Sequence, residues 1–223
     1  MIAAVIPAYN SEKHIMDIVK KTSGFVDIVI VVDNNSHDKT ARLAECVGAM
    51  VIHEYIQGAG AATNRGMQMA KAMGADIVVT LDADGQHNPM DIPRVVEPIL
   101  KNDADVVFGS RFKNQNVIPY YRRFGIKVIT LCCNLYSNEW LTDAQCGLRA
   151  FSKFALKAFN IEEHGYGVMI EEVMKAKKLY LRISEVPVQC FYHGLKNDSH
   201  MNPVKQGILT LLCILKWRLK LMI

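Results

Sequence analysis

The stretch Leu81-Asp82-Ala83-Asp84-Gly85-Gln86-His87 decides how this chain is read. It closes Asp76–Leu81, an apolar run that reads as a strong strand. Two carboxylates spaced i, i+2 at a strand end can both face one ion if the strand breaks there. Gly85 permits that break. Hard oxygen ligands of this kind suit Mg²⁺ or Mn²⁺, and the Gln86 amide oxygen could complete the set. The plainer alternative is an acidic turn between strand and helix, with Asp84 as a cap.

Working outward, Ile2–Ile6 reads as a buried strand followed by Pro7-Ala8-Tyr9-Asn10-Ser11. Ser11 is placed to cap a helix whose apolar positions Ile15, Ile18 and Val19 recur at helical spacing. Asp27–Val32 is a second apolar strand ending at Asp33, and its continuity argues for burial on both faces, as in a parallel sheet. Thr40–Val47 reads as helix and Ala49–His53 as a short strand. Gly58-Ala59-Gly60 precedes a small-residue helix reaching about Met73. After the acidic stretch come a proline-containing helix and the strand Asp105–Phe108, ending at Gly109-Ser110-Arg111. Strands alternating with helices predict a mostly parallel α/β sheet. Ligands bind beyond the carboxyl ends of such strands, where Asn10, Asp33, Asp82, Asp84 and Arg111 all fall.

Five segments, in this order, carry a resemblance. They are Val5-Ile6-Pro7-Ala8-Tyr9-Asn10, Val32-Asp33-Asn34-Asn35-Ser36-His37-Asp38, Leu81 to His87, Gly109-Ser110-Arg111-Phe112, and Asp143-Ala144-Gln145-Cys146-Gly147-Leu148-Arg149-Ala150-Phe151. Together they resemble the family 2 glycosyltransferases, and within them the polyprenyl-phosphate (dolichol-phosphate) mannose and glucose synthases. The likeness runs over roughly residues 2 to 207.

The resemblance implies a GT-A fold, a Rossmann-like, mostly parallel sheet flanked by helices. It also implies a metal-dependent, inverting transfer of a sugar from a nucleotide sugar, GDP-mannose or a UDP-hexose, to polyprenyl phosphate. Carried over by position, the donor would be bound by Pro7, Ala8, Tyr9, Asn10, Glu12, Asp33, Asn35, Gly60, Asp82, Ala83 and Asp84. Asp82, Asp84 and Gln86 would hold Mg²⁺ or Mn²⁺ and the diphosphate. Arg122, Arg123, Gln145, Arg149, Ser199 and Lys205 would serve the acceptor and its phosphate, and Asp84, Arg111, Arg123 and Glu172 the chemistry. Guanidinium groups pair well with phosphate, which gives arginine a physical reason to be there. Arg122 and Arg123 also read as a solvated pair at a helix start.

Two departures stand out. Where the family often has Asp-Asp-Gly-Ser, this chain has Asp33-Asn34-Asn35-Ser36, which leaves the base preference open. Where it often has a Ser-Lys pair, this chain has Ser199-His200, with Lys196 and Lys205 nearby.

An alcohol acceptor needs a general base and a phosphate needs none. The base candidates are Asp143, Glu171 and Glu172. Adjacent glutamates on a helix point roughly 100° apart, and the favoured reading of that pair is a solvated helix face. Tyr192-His193-Gly194 to His200 reads as a loop over the acceptor entrance, while His53 and His164 read as structural or loop residues.

The chain's net charge of +4 resides wholly in residues 195–223, beside the apolar run Ile208–Leu215 and Trp217, Leu219 and Leu221. The domain is expected over residues 1–205, with a basic, amphipathic C-terminal helix over 206–223. That apolar run is too short to span a bilayer, which takes about 20 residues. It suits either a membrane interface or packing on the domain or a second copy. Together with the second apolar helix, Ile126–Tyr136, and the resemblance itself, it leads to the expectation of a cytoplasmic chain, peripheral at the cytosolic face of a membrane, with a homodimer or a membrane subunit as further options. No signal peptide is expected ahead of Ile2–Ile6. The six cysteines lack metal-ligand spacing and read as reduced thiols.

Three other functions compete. A transferase acting on a glycan or lipid hydroxyl would need one of the base candidates. An inactive nucleotide-sugar-binding module would keep the site without turnover. A nucleotidyltransferase usually opens with a glycine-rich loop carrying a basic residue, and Pro7-Ala8-Tyr9-Asn10 is not one. The modest basic excess argues against nucleic acid.

Overall fold

A computed structural model describes residues 1–114, 118–135, 139–192 and 203–222, the last of these with main chain alone at 203–206 and 221–222. Seven strands form one sheet: β1 Ile2–Ala8, β2 Ile28–Asp33, β3 Met50–His53, β4 Ile77–Thr80, β5 Val106–Ser110, β6 Arg149–Ser152 and β7 Ile183–Pro187. Their spatial order is β3-β2-β1-β4-β6-β5-β7. All neighbours run parallel except β6, which is antiparallel to both β4 and β5. The expected mostly parallel sheet is present, and the reversed β6 adds a feature that alternation alone does not predict.

Period-two alternation builds two cores. On β1, Ala3 and Val5 face one layer, while Ala4, Ile6 and Ala8 face the other. The first layer holds α3 (Ala59–Ala72), α5 (Tyr120–Asn134), α7 (Val168–Lys178) and α8 (Pro203–Met222). The second holds α1 (Ile15–Thr22), α2 (Thr40–Cys46) and α4 (Ile92–Leu100). Short α6 (Lys153–Ala158) follows β6 directly. Gly66 lets α3 lie close on the sheet, for a Cβ there would sit 2.3 Å from Val5 Cγ1.

Two local expectations need correcting. Ser11 does not cap α1 through its side chain: its carbonyl accepts from His14 and Ile15, and its hydroxyl donates to the Tyr9 carbonyl. Glu171 and Glu172 do not form a solvated face, since both are buried.

The C-terminal helix α8 lies on α7 and α5. Trp217 is 1% exposed, and its Nε1 donates to Glu163 Oε1 at 2.8 Å. Lys216 pairs with the same carboxylate, and Lys220 with Glu162. One face of α8 therefore belongs to the core. The opposite face leaves Ile208, Leu212, Leu215 and Leu219 exposed. Alongside, α5 exposes Tyr120, Tyr121, Phe124 and Leu131, and Leu135 just beyond its end is exposed too. Among the described residues no helix is long and apolar enough to cross a membrane.

Candidate active site

The carboxyl ends of β1, β2 and β4 meet in register, with Ala8 opposite Asp33 and Val5 opposite Thr80. The turn after β1 is held by polar contacts. Asn10 adopts a left-handed φ of 48°, its amide donates to Ser36 Oγ, and its Oδ1 accepts from His37. Glu12 accepts from the Lys39 amide. Pro7 and Ala8 end β1, and Tyr9 stands 40% exposed at the edge.

Both departures after β2 have physical reasons. Asn35 sits at φ 62°, where asparagine is among the residues best able to replace glycine. Asn34 is buried; its Nδ2 donates to the carbonyls of Glu54 and Ile56, and its Oδ1 accepts from the Gly58 amide. A carboxylate could not make those donations. Asp33 is buried, with Oδ2 3.2 Å from His53 Nδ1 and Oδ1 without a hydrogen-bond partner among the described residues. Gly60 serves a close backbone approach: a Cβ there would lie 1.9 Å from the Glu163 carbonyl oxygen.

Past β4, Asp82 and Asp84 flank the buried Ala83. Asp84 Oδ1 accepts from the Gln86 amide at 2.8 Å, closing the turn after the strand. Asp82 Oδ2 lies 3.6 Å from His87 Nε2, which accepts from the Gly147 amide at 3.3 Å. Gly147 must be glycine, because a Cβ there would sit 2.1 Å from Asp82 Oδ2. Burial pushes the Asp82 carboxyl up, but His87, Arg149 and Arg111 outweigh it, and Asp82 titrates below the usual range. Asp84 is pushed up by burial and by the Asp82 charge. Two carboxylates that oppose each other's ionisation suit a divalent cation, which would relieve the repulsion. The donor set of Asp82, Asp84 and the Gln86 amide is hard oxygen throughout, as Mg²⁺ or Mn²⁺ prefers. Tyr166, half-exposed, is near enough for both carboxylates to push its hydroxyl up, though burial is the larger cause.

The side expected to face the acceptor is built differently. Arg111 forms a buried two-pronged pair with Asp143, Nε–Oδ2 2.6 Å and Nη2–Oδ1 2.8 Å. Burial opposes the Asp143 charge, but Arg111 holds the carboxyl below the usual range. The Arg111 Nη1 reaches Tyr192 Oη at 3.3 Å, and Arg122 lies over the Tyr192 ring at 5.6 Å. Arg123 is exposed on the first turn of α5. Arg149, 1% exposed, donates to the carbonyls of Cys146, Ala144 and Met169 and to Glu172 Oε2 at 2.7 Å. Burial lifts Glu172 to about 7 despite Arg149. Glu171 accepts from the amides of Glu162 and Glu163 and pairs with Lys175. The Gln145 amide donates to Asp143 Oδ1.

The structure thus gathers Asp33, Asp82, Asp84 and the β1 turn on one edge. Glu172, read as a catalytic group, and Arg149, read as an acceptor contact, are buried and paired with each other. Ser199 and the Tyr192–His200 loop beyond Tyr192 itself lie outside the described residues; Lys205 falls on the first turn of α8. His53, read as structural, touches Asp33. Tyr166 and Tyr192 gave no spacing signal.

Residues 3–159 match the family described as Glycosyl transferase family 2. A UDP-N-acetylglucosamine–dolichyl-phosphate N-acetylglucosaminyltransferase of Methanococcus voltae is 35% identical over 216 residues, 86% of each chain. An undecaprenyl-phosphate mannosyltransferase of Micrococcus luteus is 31% identical, over 84% of this chain and 82% of its own. In fold, the chain is similar to glucosyl-3-phosphoglycerate synthase of Mycobacterium tuberculosis, solved with Mn²⁺ and UDP. The TM-score is 0.76 and the identity 22%, covering 97% of this chain and 79% of that one. The chain belongs to the family 2 glycosyltransferases and has their GT-A-like fold.

Proposed function

We propose that this glycosyltransferase moves a sugar from a nucleotide sugar to polyprenyl phosphate, with inversion, at the cytosolic surface of a membrane. One observation carries the acceptor assignment. Each carboxylate considered as a general base is already engaged: Asp143 by Arg111, Glu172 by Arg149, Glu171 by two backbone amides and Lys175. A hydroxyl acceptor would need such a base, whereas a phosphate arrives as an anion. The named substrates of the relatives from M. voltae and M. luteus support the same reading.

Asp82, Asp84 and Gln86 would hold Mg²⁺ or Mn²⁺, whose chemistry is to offset charge on the departing diphosphate. Pro7 to Asn10, Glu12, Asp33, Asn35, Gly60 and Ala83 shape or line the donor edge. Arg122 and Arg123 supply cations for the acceptor phosphate, with Lys205 on α8 and Ser199 as further phosphate contacts. Arg111, fixed by Asp143, adds positive potential where negative charge builds. Gln145 shapes the acceptor side. The exposed apolar faces of α5 and α8, helices that also carry Lys127 and Arg218, suit an anionic membrane interface.

The test is a transfer assay with Mn²⁺, a short polyprenyl phosphate and labelled nucleotide sugars. Organic-extractable label from one donor, abolished by EDTA and by Asp84→Ala, is the expected result. Mn²⁺-dependent donor hydrolysis without lipid-linked label would refute the phosphate acceptor and return the search to hydroxyls.

A further inference from the structure

We propose that His53 sets the base preference of the donor site, selecting uracil over guanine by occupying one oxygen of Asp33. The inference rests on the donor-site reading above and extends it to a residue outside the family motifs. Asp33 ends β2 and His53 ends β3, paired in register across the parallel ladder. An ionised carboxylate only accepts, so the proton between them belongs to His53 Nδ1, 3.2 Å from Oδ2. The His53 ring stacks against Tyr55, with centroids 6.5 Å apart and planes 19° apart, which helps to hold it in place. The other oxygen, Oδ1, is buried and without a hydrogen-bond partner among the described residues. Buried acceptors are normally paired, so an orphan at the ligand edge of the sheet marks a place for a donor from the ligand.

Asp33 therefore offers one oxygen with no partner among the described residues and one already shared with His53. Uracil presents one ring N–H between two carbonyls, and one acceptor satisfies it. Guanine presents N1–H and the N2 amino group side by side, a pair that matches both oxygens of a free carboxylate. With Oδ2 shared with His53, the second N–H of guanine competes with the imidazole N–H for that oxygen, which weakens the pairing of a buried polar group. Cytosine presents a bare ring nitrogen whose lone pair would face the carboxylate. Asn34, where the family often has a second aspartate, adds no acceptor, because its amide is spent on the 54–58 loop.

The test measures binding of UDP, GDP and CDP with Mn²⁺ by calorimetry, to the unmodified protein and to two variants. The expected result is UDP tighter than GDP by about tenfold or more, with CDP weaker still. His53→Ala frees Oδ2 and should bring the UDP-to-GDP ratio close to one. His53→Asn places a donor where Nδ1 was and should restore the preference, which loss of packing alone would not produce. Equal affinities in the unmodified protein, or a ratio that His53→Ala leaves intact, overturn the assignment and leave the donor site standing. Binding of none of the three overturns the donor site along with it.

Discussion

The proposed donor and acceptor halves of the site use charge in opposite ways. On the expected donor side, Asp33 keeps one buried oxygen without a partner among the described residues, and Asp84 is lifted by burial and by its neighbour Asp82. On the acceptor side, Arg111 with Asp143 and Arg149 with Glu172 satisfy one another within the protein. Unsatisfied groups wait for a ligand, and satisfied ones hold a shape. The contrast teaches that a buried charge near a site reports function only after its partners are counted.

The first way to break that contrast is Asp84→Ala. Transfer should fall by about a thousandfold, as removal of a group stabilising the leaving charge does. Thermal stability of the metal-free protein should hold or rise, because a carboxylate penalised by burial and by Asp82 is gone. A large loss of Tm would place Asp84 with the structural charges. Arg149→Met should do the reverse. It strands Glu172 and three carbonyls, costing about 3 kcal/mol or more in denaturant unfolding, and activity should follow the folded fraction. Full stability with lost activity would return Arg149 to the acceptor set.

A third test sharpens the comparison by pH. Glu172 is raised from the ordinary glutamate value of 4.5 to about 7. Its protonated form favours the folded state, so that stability is fully present below the unfolded value and is lost as pH rises through about 7. Glu172→Gln should flatten the decline between those limits, by on the order of 1–2 kcal/mol, as read from unfolding curves at a series of pH values. A parallel curve for both proteins would mean that Arg149 keeps Glu172 ionised throughout. The smallest effect is expected on the outer surface. Leu212→Ser with Leu219→Ser should weaken recruitment to anionic vesicles by about fivefold, with stability within about 0.5 kcal/mol. These exchanges test the proposed membrane face better than cutting the chain after Gly207, which would also remove Trp217 from the core.

Much of this frame is legible in the sequence. β1, β2 and β4 announce themselves as continuous apolar runs, and the acidic turn after β4 carries its own chemistry. β6 does not, because its four residues begin with an arginine whose burial depends on Glu172, 23 positions away. β7 contains Ser184, Glu185 and Pro187 and is only half-buried along its length. Glu171 and Glu172 look solvated until α7 is seen packed, with Lys175 one turn on and the 162–163 amides folded over it. His53 meets Asp33 through strand register, which spacing along the chain does not encode.

Trp217 closes a core cluster that begins at Ala3, so the layer over α5 and α7 joins opposite ends of this sequence. Contacts that distant are slow to form. During synthesis the groove that receives Trp217 stays open and apolar until α8 has left the ribosome. Through that interval the nascent chain carries an apolar groove that the finished protein covers with Trp217.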